Sequence, residues 1–99
     1  MPCLAHTEYY AYLWLRCNHL AMRLWPGRHV FVQLGSYNAR TLFHARVTVW
    51  GRGRPFCIYG SDVDTDIAAL IDLRRRLTLA VNAVRRNARV NRIRVARRG

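Results

Sequence analysis

Residues 42–50 read Leu-Phe-His-Ala-Arg-Val-Thr-Val-Trp. In an extended chain Phe43, Ala45, Val47 and Val49 fall on one side, and His44, Arg46, Thr48 and Trp50 on the other. A period of two with one apolar side is the pattern of a strand that buries one face. The neighbouring segments supply its partners. Residues 30–34, Val-Phe-Val-Gln-Leu, are rich in β-branched and aromatic side chains and are expected as a strand. The cluster Gly35-Ser36-Tyr37-Asn38 that follows is expected as the turn. After residue 50, Gly51-Arg52-Gly53-Arg54 reads as a hairpin loop, and Pro55 opens a short strand over 56–59.

A helix is expected on each side of this sheet. Tyr10, Leu13, Trp14, Cys17, Leu20, Ala21 and Leu24 recur at offsets of three and four. Thr7 is expected to cap that helix with Glu8 in its first turn, and Pro26-Gly27 ends it. Tyr12, Arg16, His19 and Arg23 lie on its opposite face. The second helix begins near Asp64 or Asp66, either of which is expected as the cap. Its stripe is Leu70, Leu73, Leu77, Ala80, Val84 and Ala88, flanked by Ile67, Ile71 and Val81. It is expected to run to about residue 89, leaving a basic tail from about 90 that frays or is disordered. The fold class is therefore α+β: a two-layer sandwich in the order α-β-β-β-α, with two helices packed on one face of an antiparallel sheet. At 99 residues the chain, 1–99, is expected to form a single domain.

Charge is the unusual feature of the composition. Seventeen basic residues, all arginine, face five acidic ones, for a net charge of +12. Such a chain repels itself until a polyanion neutralises it, and nucleic acid, above all RNA, is the expected partner. Arginine suits that role because its planar fork binds phosphate bidentately and stacks on bases. The charge is also uneven, because no acidic residue follows Asp72. On a helix Arg75, Asn82, Arg86 and Arg89 share a face away from the core stripe, with Arg85 beside them. A merely solvated face usually mixes both signs; a row of one sign can track a phosphate backbone. Tyr9 and Tyr12 stand beside Arg16, His19 and Arg23, where rings and guanidinium planes could stack on unpaired bases or simply pack at the helix margin.

Other chemistry has little to build on. Cys3, Cys17 and Cys57 form no CxxC pair, and their odd number fits idle thiols in a reducing cytoplasm better than a disulfide framework. Four histidines are scattered without metal-ligand spacing, so no metal or cofactor is expected. Asp62, Asp64 and Asp66 resemble the start of a calcium loop but lack its closing glutamate. One glutamate and two isolated serines supply no catalytic constellation, and the expected protein is not an enzyme. Residues 9–25 are interrupted by Arg16, Asn18, His19 and Arg23, so neither a membrane span nor a secretory signal is expected.

One family shares this pattern. Asp66-Ile67-Ala68-Ala69-Leu70-Ile71-Asp72 resembles the second-helix signature of the ribosome hibernation-promoting factors, which include ribosome-associated inhibitor A. Residues 30–34, the turn through Tyr37-Asn38 and residues 44–49 match the strands before it, and residues 9–25 match the first helix. The likeness covers roughly residues 8–90. Two features differ: the family places a strand before its first helix, for which Met1–His6 is too short, and the loop after Asn38 is short. The missing strand would leave a sheet edge exposed for a homodimer or another partner. Family members occupy the decoding channel of the small ribosomal subunit and silence idle ribosomes under stress. The resemblance implies that Arg75, Arg76, Arg85, Arg86 and Arg89 meet phosphates of ribosomal RNA, with Arg16 and Arg23 assisting. Arg28, at the lead into the first strand, and Arg92, in the tail, complete the candidate RNA-binding residues. Two alternatives stay open: a general RNA- or DNA-binding module without ribosome specificity, and a protein-interaction subunit that uses the open edge.

Overall fold

The computed structural model describes residues 4–37, 42–51 and 53–98, with side chains described for 7–36, 42–51 and 53–89. Five elements follow in chain order: α1 (Leu4–Leu24), β1 (His29–Tyr37), β2 (Leu42–Trp50), β3 (Phe56–Tyr59) and α2 (Asp66–Arg98). The strands form an antiparallel sheet in the order β1-β2-β3. Both helices lie on one face of it, as the α-β-β-β-α reading expects.

Alternation in β2 decides which face is covered. Ala45, Val47 and Val49 are buried, with Val32 of β1 beside them. Against them pack Leu13, Cys17, Leu20 and Ala21 of α1 and Ala69, Leu70, Leu73, Leu77 and Val81 of α2. Removing one such leucine side chain costs about 2–5 kcal/mol, so these few contacts hold the fold. Trp14 closes the margin, its indole N–H donating to the Val32 carbonyl at 3.0 Å.

Both helix starts differ from expectation. α1 begins at Leu4, so Thr7 lies inside the helix and Glu8 beyond its first turn. Leu and Ala are strong helix formers, and nothing in Leu4-Ala5-His6 stops the helix from starting upstream. α2 is capped by Thr65, between the two aspartates expected for the task. Its hydroxyl accepts the Ala68 N–H at 3.1 Å, leaving Asp66 in the first turn, where its charge suits the dipole. α1 ends as expected: Pro26 cannot continue it, and Gly27 takes φ 79°, a left-handed conformation that favours glycine.

β1 is also longer than the pattern suggests. Gly35, Ser36 and Tyr37 continue the strand, and Gly35 pairs with His44. A Cβ on Gly35 would collide with the His44 imidazole, so this glycine serves a close approach inside the sheet rather than a turn. The connection itself, with Asn38, lies outside the described residues. His44 keeps its place on the outer face yet is only 3% exposed. The bare Gly35 leaves room for its ring, Tyr59 tilts over it at 5.7 Å, and the Asp62 carboxylate stands 3.9 Å from Nδ1.

α2 has two parts. Its core stripe ends at Val81; Val84 is 58% exposed and Ala88 is exposed. The helix continues through Arg98, past residue 89, where the pattern placed its end. Length explains the change: 33 helical residues span about 50 Å, whereas nine-residue strands span about 30 Å. Beyond Val81, α2 outruns the sheet that it packs on.

Candidate nucleic-acid interface

The arginines of α2 divide along the same line. At its start Asp72 organises a network. Its carboxylate accepts the Ser61 N–H at 2.9 Å, the Arg76 Nε–H at 2.9 Å and an Arg75 Nη–H at 3.3 Å. Arg76 also donates to the Ser61 hydroxyl. Gly60 must come close for this, because a Cβ there would stand 2.8 Å from an Asp72 oxygen. Burial works to raise the pKa of Asp72. The Ser61 N–H, both guanidinium bonds and the charge of Arg76 outweigh it and hold the carboxyl below its ordinary value. The network ties the end of β3 to α2, and Arg76 is largely spent on it. Arg75 is less committed, with its side chain 69% exposed.

Further along, the arginines are open. Among the described residues Arg85, Arg86 and Arg89 make no ion pair. They line a groove of about 430 Å³ with Leu79 and Asn82. Leu79 is shared with a second groove of about 530 Å³, whose walls are Tyr12 and Arg16 of α1 and Ile71, Arg74, Arg75 and Thr78 of α2. Tyr12 and Arg16 also belong to a third depression of about 340 Å³ with Leu15 and His19. The three join into one surface that crosses from α1 to α2. From Arg74 to Arg89 alone it runs roughly 22 Å along the helix axis.

This surface gathers most, not all, of the expected binding residues. Arg16, Arg75, Arg85, Arg86 and Arg89 line it. Arg23, two turns beyond Arg16, is exposed at the end of α1 but lines none of these grooves. Arg28 is elsewhere, its side chain lying over Gly51 at one end of the sheet. The side chain of Arg92 lies outside the described residues. Arg74 also lines this surface and is not among the residues expected from the sequence. Its place next to the core residue Leu73 gives no hint that it faces Arg16 across two helices. Tyr9 and Tyr12 stack on each other at 6.5 Å and 18°, and both stay exposed.

The remaining reactive groups are quiet. Cys17 is fully buried with its thiol towards the Leu70 carbonyl, and burial pushes its pKa up to about 11 despite the charge of Arg74 nearby. Cys57 is exposed beside the Thr48 hydroxyl, and Cys3 lies outside the described residues. No group of three potential metal ligands occurs among the described residues. None of the described helices is long and apolar enough to cross a membrane. No protein-family model, curated protein or solved structure matches the chain.

Proposed function

We propose that this chain binds RNA along the arginine groove shared by α1 and α2, and that its target is ribosomal RNA of the small subunit. The observation that carries the reading is the groove itself: Arg16, Arg74, Arg75, Arg85, Arg86 and Arg89 line one continuous surface on a chain of net charge +12. Each arginine that meets a phosphate releases condensed counterions, and the guanidinium fork fixes the contact. Tyr12, Ile71 and Leu79 give the groove an apolar floor, on which sugars and base edges can rest. The choice of ribosomal RNA rests on the likeness of residues 66–72 to the helix signature of the hibernation factors. On this reading the protein is cytoplasmic and silences translation by occupying the path of mRNA and tRNA. Steric occupation needs no catalytic step and no cofactor.

Co-sedimentation tests it. The protein is expected to travel with small subunits at low salt, leave them at high salt and inhibit translation in vitro. Reversing Arg85, Arg86 and Arg89 to glutamate is expected to abolish both effects and leave the fold intact. Protein that stays at the top of the gradient at low salt contradicts the ribosomal reading. Equal affinity for ribosomes and unrelated bulk RNA would instead mark a general RNA-binding module. A further reading has one observation in its favour: β1 is a nine-residue edge strand, which apart from the Val32 carbonyl held by Trp14 can pair with another chain. A concentration-dependent dimer without affinity for polyanions would establish it in place of RNA binding.

A further inference from the structure

The helices cover one face of the sheet; its other face carries three exposed rings. Phe31 is 53% exposed, Trp50 47% and Tyr59 54%. Phe31 stands opposite Thr48 and Trp50 opposite His29, which makes Phe31 and Trp50 diagonal neighbours on β1 and β2. Diagonal positions are about 7–8 Å apart, close to twice the ~3.4 Å spacing of stacked bases. Between the two rings lies a slot of about 290 Å³ with Gln33 and Thr48 as its polar lining. Arg46 donates to the Gln33 carboxamide oxygen at 3.3 Å, which turns the Gln33 amide group into a donor and holds a guanidinium beside the slot.

We infer that this face binds an unpaired nucleobase between Phe31 and Trp50, so that the protein engages single-stranded RNA on the sheet while the helix groove holds phosphates. The inference rests on the RNA-binding reading and adds a second contact surface of different chemistry. A duplex keeps its bases stacked inside and cannot offer one to the slot; a loop or single strand can. Charge favours nucleic acid over a second copy as occupant. Arg46 and His29 flank the slot, and Asp62, the acid beside this face among the described residues, stands against His44 four residues along β2 from Thr48, so two +12 chains stacked there would repel, whereas a polyanion is drawn in. Gln33, Arg46 and Thr48 also break the apolar area that a sheet-on-sheet interface would need.

The test compares a 12-nucleotide oligoadenylate with a 12-base-pair RNA duplex, read by fluorescence anisotropy at 0.1 M salt. The paired substitution Phe31→Leu with Trp50→Leu keeps apolar bulk on an exposed face but removes both rings. It is expected to weaken oligoadenylate binding about 10–100-fold and to leave duplex binding unchanged. The pair Phe31→Tyr with Trp50→Phe keeps the rings and is expected to bind oligoadenylate as the parent does. Tryptophan emission of the parent should be quenched by oligoadenylate, and Trp50→Phe should remove that quenching. If the leucine pair binds oligoadenylate like the parent while the duplex still binds, the stacking site is wrong and the helix groove stands. Should neither RNA bind the parent, both readings fall. A parent dimer that the leucine pair converts to monomer, with oligoadenylate binding unchanged, would show that a second copy covers this face and would overturn the proposal.

Discussion

The two halves of α2 carry charge of the same sign and use it differently. Up to Val81 the helix is a wall of the core, and its charged residues near the sheet serve the fold: Asp72 holds Arg75, Arg76 and the backbone of Ser61. Past Val81 the helix outruns the sheet, and among the described residues Arg85, Arg86 and Arg89 meet no acid. Net charge alone does not separate these cases. An arginine is available to a polyanion when its own chain leaves it unpaired, and here the length of the sheet sets where that begins.

Substitutions in each half test this contrast. The largest effect is expected in the first half. Leu73→Ala should cost about 2–5 kcal/mol in urea unfolding followed by circular dichroism, enough to unfold much of so small a domain. In the second half, reversing Arg85, Arg86 and Arg89 to glutamate should leave unfolding nearly unchanged. Its effect belongs to binding: RNA affinity at 0.1 M salt should fall about 100-fold, equivalent to about 2.7 kcal/mol. A loss of stability in this variant, in place of binding, would erase the distinction between the halves.

Asp72→Asn should cost about 1–3 kcal/mol at neutral pH, because it removes the charge from a carboxylate that is mostly buried and holds two guanidinium groups. Its pH dependence has a definite sign. The folded-state value lies below the unfolded value of about 3.9, so the stabilisation is complete above that pH and is lost as pH falls through the folded value. Unfolding free energies of parent and variant should therefore converge between about pH 4 and lower pH. A gap that stays constant into that range would remove the charge from the explanation. The smallest effect is expected at Val84→Ala, within about 0.5 kcal/mol, since that side chain is exposed although it continues the apolar stripe. A cost near that of Leu73→Ala would mean that the core extends further along α2 than the burial of its side chains indicates.

Those contrasts also show what could be read from the sequence. Alternation in residues 42–50 assigns every β2 side chain to its face, and the three-and-four spacing finds both helices, because each pattern is set by burial on one side. Features that depend on a distant partner are hidden. Gly35 reads as a turn until His44 is placed against it. Thr65 is passed over between two aspartates, any of which can cap a helix. Val84 and Ala88 keep the helical period after the sheet has ended, so the stripe outlasts the core. For the candidate site, the one-sided charge after Asp72 picks out the helix face on which Arg75, Arg85, Arg86 and Arg89 line the grooves. The contribution of Arg74, the diversion of Arg76 to Asp72 and Ser61, and the slot between Phe31 and Trp50 all depend on tertiary neighbours. Outward positions in β2 were visible, including Trp50, but only the register of β1 brings Phe31 beside it.

On the proposed reading the unpaired arginines of α2 hold RNA by phosphate contacts. This is tested most directly by the salt dependence of RNA binding, measured for the parent and for the Arg85, Arg86 and Arg89 reversal. Each phosphate contact contributes about −0.7 to −0.9 to the slope of log K against log salt. The parent should show a slope of about −4 or steeper, and the variant a slope shallower by at least about 2. A shallow parent slope, or the same slope in both proteins, would contradict the account.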